Sequence, residues 1–260
     1  MDVAVIENAS EELYRAWLDR RVLPPLTDRN PELTLEDAYR IQQRLIGRHL
    51  ADGAKVVGKK IGVTSKAVMD MLGVRQPDFG HLLDSMRYAS GEAIRRDSLI
   101  QPRAEGEVAF LLKKDLYGPG ICSFDVLAAT ECVIPCLEIV DSRIRDWKIK
   151  VQDTVADNAS CGAFVLGERR VGPHDVDLLT CGMVLEKNGE VAAAGAGAAA
   201  LGSPVNAVAW LANALSSYES GLKAGDVILS GALAAMLPAQ AGDHFAMTVG
   251  GIGSCSVRFV

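Results

Sequence analysis

Apolar positions in the first quarter of the chain recur at helical spacing. Leu13, Ala16 and Trp17, with the later Val22, predict a helix over 11–21, closed by Pro24-Pro25. A second helix is expected from Thr34, where Asp37 three residues on forms a capping box with Asp in place of the usual Glu or Gln. Its stripe of Leu35, Ala38, Tyr39, Ile41, Leu45, Ile46 and Leu50 runs to a stop at Ala51-Asp52-Gly53. From Lys55 the pattern shortens into apolar runs broken by Gly, Pro and Asp. VVGKKIGVT, EVAFLL, CVIPCLEIV, GAFVLG, GMVLEKNG, DVILSG and CSVRFV read as strands. Helical insertions are expected at 66–72, around 124–129 and at 204–217. Asn188-Gly189 suits a type I′ hairpin turn. The Ala-Gly stretch 191–201 reads as close-packed backbone, because structured runs flank it.

A helical start followed by a strand-rich body is an α+β pattern. We expect residues 1–75 to form a helical region with the first core strand. Residues 76–260 then form the body, the two parts being integrated as one domain. Strict βαβ alternation is absent, which disfavours a doubly wound nucleotide-binding fold. The Gly-rich pieces at 195–197 and 250–253 lack the acidic partner of a dinucleotide site and read as structural.

Composition narrows the function class. Hydrophobic residues make up 49% and the formal net charge is −6, with no basic block. Nucleic acid as a main partner is disfavoured, since phosphate binding needs clustered Lys and Arg. The acidic start carries no signal-peptide pattern, and no run is expected to supply the roughly 20 apolar residues of a membrane span. The cysteines at 122, 132, 136, 161, 181 and 255 form no C-x-x-C pair. They are expected to be reduced core residues of a cytoplasmic enzyme.

Candidate chemistry starts at Glu105-Gly106-Glu107. Residues two apart on a strand share a face, so the two carboxylates project together while Gly106 leaves room for close packing behind. Alone, such a pair is most simply two solvated acids. Glu138 shifts the balance, because it lies in an otherwise apolar strand where an unpaired carboxylate is costly. Its partner is a metal, or else Arg143 or Arg145. Three carboxylates with open positions suit an oxygen-loving ion such as magnesium or manganese. Of the adjacent Lys59 and Lys60, one faces inward, and Lys60 is the expected one. Three carboxylates and a divalent ion leave a net −1, which an inward lysine answers. Asp78 follows Pro77 in a turn-rich stretch; it is either turn chemistry or a general acid/base presented into a cleft. Asp157-Asn158-Ala159-Ser160 offers polar groups between apolar segments, with a helix cap or Asx turn as the simpler role for Asp157 and Asn158.

Together, VGKKIGVTS, GVRQPDFGHLLD, RAEGEVAF, PCLEIVDSR, VADNAS and GDVILSG resemble the fumarylacetoacetate hydrolase superfamily over nearly the whole chain. Within it they resemble the 2-hydroxypenta-2,4-dienoate hydratase family of aromatic meta-cleavage pathways. Gln76-Pro77-Asp78-Phe79-Gly80 matches hydratases better than the sister 4-oxalocrotonate decarboxylases, whose corresponding stretch lacks this acid. The His/Glu pair of the superfamily's hydrolases has no clear match. The resemblance implies a mixed β-sheet roll and Mg2+ or Mn2+ on Glu105, Glu107 and Glu138. It implies Lys60 and Asp78 as catalytic residues, with Lys60 and Ser160 contacting the substrate. It further implies a lyase that hydrates 2-hydroxypenta-2,4-dienoate to 4-hydroxy-2-oxopentanoate. A homo-oligomer, in possible complex with a 4-oxalocrotonate decarboxylase, is also implied. The alternatives are that decarboxylase activity itself, and a non-catalytic subunit that stabilises a partner enzyme.

Overall fold

The first helix, α1 (Val3–Asp19), starts well before the 11–21 span, because Asp2 caps it by accepting the Ala4 amide. Its early buried face includes Ala9 and Ser10, residues too small or polar to register in an apolar period. Arg20, in the left-handed conformation, ends it ahead of the prolines. After the short α2 (Leu26–Arg29), α3 (Leu35–Ala51) begins at the expected capping box, with the Thr34 hydroxyl accepting from the Asp37 amide at 3.1 Å. The face carrying Ala38, Tyr39, Ile41, Leu45 and Ile46 is buried, and the helix packs between α1 and the 151–156 segment of the body. Each such Ile or Leu contributes about 1.5–3 kcal/mol.

The computed structural model describes all 260 residues. Its strands are β1 (Val56–Gly62), β2 (Asp78–Leu83), β3 (Arg87–Ala89), β4 (Ala93–Ile94), β5 (Arg103–Leu112), β6 (Thr130–Val140) and β7 (Cys161–Leu166). There follow β8 (Gly182–Lys187), β9 (Glu190–Ala196), β10 (Val227–Leu229), β11 (Leu237–Pro238), β12 (His244–Val249) and β13 (Gly253–Phe259). The remaining helices are α4 (Lys66–Leu72), α5 (Ser123–Ala129), α6 (Val151–Ala156) and α7 (Pro204–Leu215). The fold is α+β, as the pattern predicts. The short β3, β4 and β11 were not expected, nor was β9, which falls in the Ala-Gly stretch; β2 and β12 are the other two unexpected strands. Pro77 and Gly80 disguise the first, and only Phe245, Met247 and Val249 of the second are buried.

The main sheet has the order β2-β1-β10-β5-β6-β7-β3, with β11 attached to β5. The second has the order β4-β13-β12-β8-β9. The β8–β9 hairpin turns through Asn188 and Gly189, both at positive φ, as a type I′ turn requires. The sheets meet at Gly106, where an added Cβ would lie 2.7 Å from Met247 Sδ and 3.0 Å from Met183 Cε. That is the room behind the E-G-E pair that the sequence suggests.

Strand alternation then separates two faces of the main sheet. Glu105, Glu107, Ala109 and Leu111 share one side of β5. By register they meet Glu138, Cys136, Ile134 and Cys132 of β6. The same face carries Lys60, Leu82, Phe164 and Leu229 from the neighbouring strands. Carboxylates thus occupy one end of this face, and an apolar cluster including Leu82, Ala109, Cys136, Phe164 and Leu229 fills the rest.

The helical run Gly197–Tyr218 passes for a membrane span by length and composition, contrary to expectation. Half of it is buried inside the fold, where α7 seals Val205, Val208 and Leu211. No cysteine is paired, and five are buried; Cys122, just ahead of α5, is exposed rather than in the core.

Candidate active site

Register brings the three glutamates together. Glu105 on β5 lies directly opposite Glu138 on β6, and Glu107 projects beside Glu105 two residues on. One oxygen from each lies within 4.8 Å of the others. Glu107 and Glu138 are fully buried and Glu105 is half-buried. At that separation each pair of charges repels by at least roughly 3 kcal/mol for an effective dielectric near 20. Burial, with the Glu138 charge, pushes Glu105 up to about 7. Burial and both neighbouring glutamates raise Glu107 well above the carboxylate range.

Lys60 is the cation that answers them. Its Nζ lies 3.1 Å from Glu138 Oε1, and the side chain is almost wholly buried. Burial acts to discharge the amine, but Glu138 and then Asp78 outweigh it and hold the pKa above its ordinary value. Lys59 is buried too, on the opposite face of β1, where its Nζ reaches Gly221 O at 3.4 Å. Neither arginine considered for Glu138 pairs with it. Arg143 is held by Asp157, with Nε 2.5 Å from Oδ1, and Arg145 is exposed.

Asp78 is not turn chemistry. It opens β2, is 2% exposed, and sits opposite Gly62. An added Cβ at Gly62 would stand 2.2 Å from Asp78 Oδ1 and 3.4 Å from Lys60 Nζ. Gly62 is therefore the space into which both side chains reach. Burial pushes Asp78 up to about 6, with Lys60 pulling the other way.

Asp157 is the C-cap residue of α6, as the simpler reading has it, but the side chains of the 157–160 segment work as a clamp. The Asn158 carboxamide accepts from His81 N at 2.7 Å and donates to His81 O at 2.9 Å, taking the place of a further strand along β2. Asn158, Ala159 and Ser160 all have positive φ, an arrangement costing of order 1–3 kcal/mol per residue. Asp157 anchors it by taking Arg143, whose guanidinium also reaches the carbonyls of Asp141, Cys161 and Asp157 and lies over the Trp17 ring. Ser160 is buried with its hydroxyl 3.1 Å from that of Thr154, so a substrate carboxylate would have to compete for it. No spacing rule foretells this clamp, because it joins residues 77 positions apart.

The donor set fits a divalent, oxygen-loving cation. Glu107 Oε1 and Glu138 Oε2 are buried without a polar partner, and Glu138 Oε1 has only the Lys60 ammonium. Glu107 Oε2 is steered by the Gly231 N–H at 2.8 Å, the outer support that a ligating carboxylate needs. One lysine cannot neutralise three such acids.

The sequence profile described as fumarylacetoacetate (FAA) hydrolase C-terminal matches residues 59–260. The chain belongs to this family. Among its relatives, a 2-hydroxypent-2,4-dienoate hydratase of Pseudomonas putida is 64% identical over 219 residues, covering 84% of this chain and 99% of that protein. A 2-hydroxyhexa-2,4-dienoate hydratase of Comamonas testosteroni is 56% identical over 260 residues, covering 99% of this chain and 98% of that one. In structure, the family member 4-oxalocrotonate decarboxylase from Pseudomonas putida G7, complexed with magnesium and adipate, superposes with a TM-score of 0.98. It has 39% identity and covers 100% of this chain and 99% of that one.

Proposed function

We propose that the protein is a metal-dependent hydro-lyase that adds water to 2-hydroxypenta-2,4-dienoate, giving 4-hydroxy-2-oxopentanoate, in the meta-cleavage degradation of aromatic compounds. The observation that carries this reading is the 64% identity to a hydratase of that substrate across nearly that enzyme's whole length. The site chemistry agrees with it. Glu105, Glu107 and Glu138 would hold Mg2+ or Mn2+. When bound, that ion supplies Lewis acidity toward a 2-oxo acid.

The chain's own residues account for charge and protons. The dienol gives up its hydroxyl proton and takes one at carbon 5, forming 2-oxopent-3-enoate. Water then adds its oxygen to carbon 4 and a proton to carbon 3. Lys60, held protonated by Glu138, places a fixed positive charge where negative charge gathers on the 2-oxygen and carboxylate. Asp78, at about 6, can both give and take a proton near neutrality, which suits a general acid/base moving protons between water and carbon. The sealed walls around Glu107 and Glu138 keep bulk water from these charges. We further propose that the working form is a cytoplasmic homo-oligomer, able to associate with a decarboxylase of the same pathway.

A second reading, decarboxylation of 4-oxalocrotonate, draws on the TM-score of 0.98 to that decarboxylase, but the identity of 39% stands below the 56% and 64% to the two dienoate hydratases. Purified protein with magnesium and freshly generated dienoate tests both. Loss of the dienoate absorbance with formation of 4-hydroxy-2-oxopentanoate is expected. Unchanged dienoate at full metal occupancy, or carbon dioxide release from 4-oxalocrotonate alone, would overturn the hydratase reading.

A further inference from the structure

The family profile begins at residue 59, so α1, α2 and α3 lie ahead of it, yet this helical part reaches the strand that carries Asp78. Tyr39 and Gln42, three residues apart on α3, share the helix face that meets β2. Tyr39 stacks on Phe79 with ring centroids 4.5 Å apart. Gln42 is fully buried, and its amide nitrogen donates to Phe79 O at 2.9 Å and to Val155 O at 2.8 Å. Both partners are acceptors, so only the NH2 end of the carboxamide can face them. Gln42 Oε1 is sealed without a donor, a cost that packing alone would not require.

The two carbonyls belong to two segments of the site. Phe79 follows Asp78 on β2, and Val155 lies in the last turn of α6, just before the 157–160 clamp. Carbonyls in a helix's last turn have no helical partner, and Gln42 supplies one. The clamp in turn holds the backbone of His81 through Asn158. β2 is thereby gripped at residue 79 from α3 and at residue 81 from the clamp. Asp78 Oδ1 is buried without a hydrogen-bond donor, so the place of this carboxylate depends on where β2 is held.

We propose that Gln42 is a positioning residue: by joining β2 to α6 it sets the Asp78 carboxylate for proton transfer. The role rests on Asp78 being the acid/base of the dienoate hydration above. Gln42→Met keeps the volume and removes both donated bonds. Thr27→Val is its control, since Thr27 also ties the helical part to α6, its hydroxyl donating to Asp153 at 2.7 Å, with no hydrogen bond to β2. Both are assayed with magnesium at a temperature where circular dichroism shows them folded. A displacement of about 1 Å can cost about 10²-fold, so Gln42→Met should lower kcat by at least about tenfold with KM within about twofold. Gln42→Asn, one methylene shorter, should also lower kcat and takes over if the Met variant does not fold. Thr27→Val should lower the melting temperature and leave kcat unchanged. Hydrogen exchange of the amides of residues 78–83 should quicken by at least about fivefold in the Gln42 variants alone. Unchanged kcat or unchanged exchange in the Gln42 variants, or an equal loss of kcat in Thr27→Val, overturns the role alone. A wild type that leaves the dienoate untouched overturns the hydratase reading and the role together.

Discussion

Replacing Lys60 by Met removes the one cation in contact with the carboxylate cluster while keeping most of the side-chain volume. At 3.1 Å the Lys60–Glu138 attraction is about 5 kcal/mol for an effective dielectric near 20. Breaking a buried pair from one side costs about 3–5 kcal/mol, because the remaining charge stays buried and unpaired. Protonation of one acid relieves part of this, which favours the lower figure. For a chain of this size about 1 kcal/mol moves the melting temperature by roughly 2–4 °C, so the metal-free variant should melt about 6–12 °C below the wild type. Saturating magnesium should narrow the gap, since a divalent ion neutralises the acids that Lys60 no longer meets. Differential scanning calorimetry with and without magnesium reads both effects. Equal melting temperatures without metal, or a gap that magnesium leaves unchanged, would refute the reasoning. Activity should fall by about 10²-fold or more, as for loss of a preorganised charge.

Three further outcomes are expected. Gly62→Ala should lower kcat by at least about tenfold with little loss of fold, because its Cβ would displace Asp78 Oδ1 from a point 2.2 Å away; unchanged kcat would contradict that placement. Asn158→Ala should cost about 1–3 kcal/mol by stranding the backbone groups of His81, and native stability in a chemical denaturation series would count against the clamp. His81, whose Nδ1 is sealed and without a partner, is lowered to about 3 by burial and then by Lys59. Its neutral form favours the fold, so this contribution is complete above about pH 6.5 and is lost as pH falls toward 3. His81→Gln should flatten the fall in stability between pH 6.5 and 4, and an identical pH profile would exclude the assignment.

Much of this was legible along the chain. Periodicity located α3, the helical insertions expected at 66–72 and 204–217 are α4 and α7, and the capping box at Thr34 and Asp37 fell where expected, because these signals are local. The carboxylate pair of β5 followed from strand alternation alone. Its meeting with Glu138 depends on the β5–β6 register, and the sequence could only suggest it through the cost of burying an acid. Asp78 was harder to read, since Pro77 and Gly80 look like a turn. Here Gly80 is instead a close approach, where an added Cβ would lie 2.4 Å from Asn158 O. The Arg143–Asp157 anchor misled in the same way: Arg143 was near enough in sequence to serve Glu138, but the 157–160 turn claims it. Long-range side-chain contacts of this kind leave no periodic mark.

The central claim is that Glu105, Glu107 and Glu138 form a divalent-metal site. Titration of the metal-stripped protein with Mn2+, followed by electron paramagnetic resonance, tests it most directly. One tight site per chain is expected in the wild type, with affinity falling by at least about tenfold in Glu107→Gln while its circular dichroism stays native. Absence of a tight site in the wild type, or equal affinity in the variant, would contradict it.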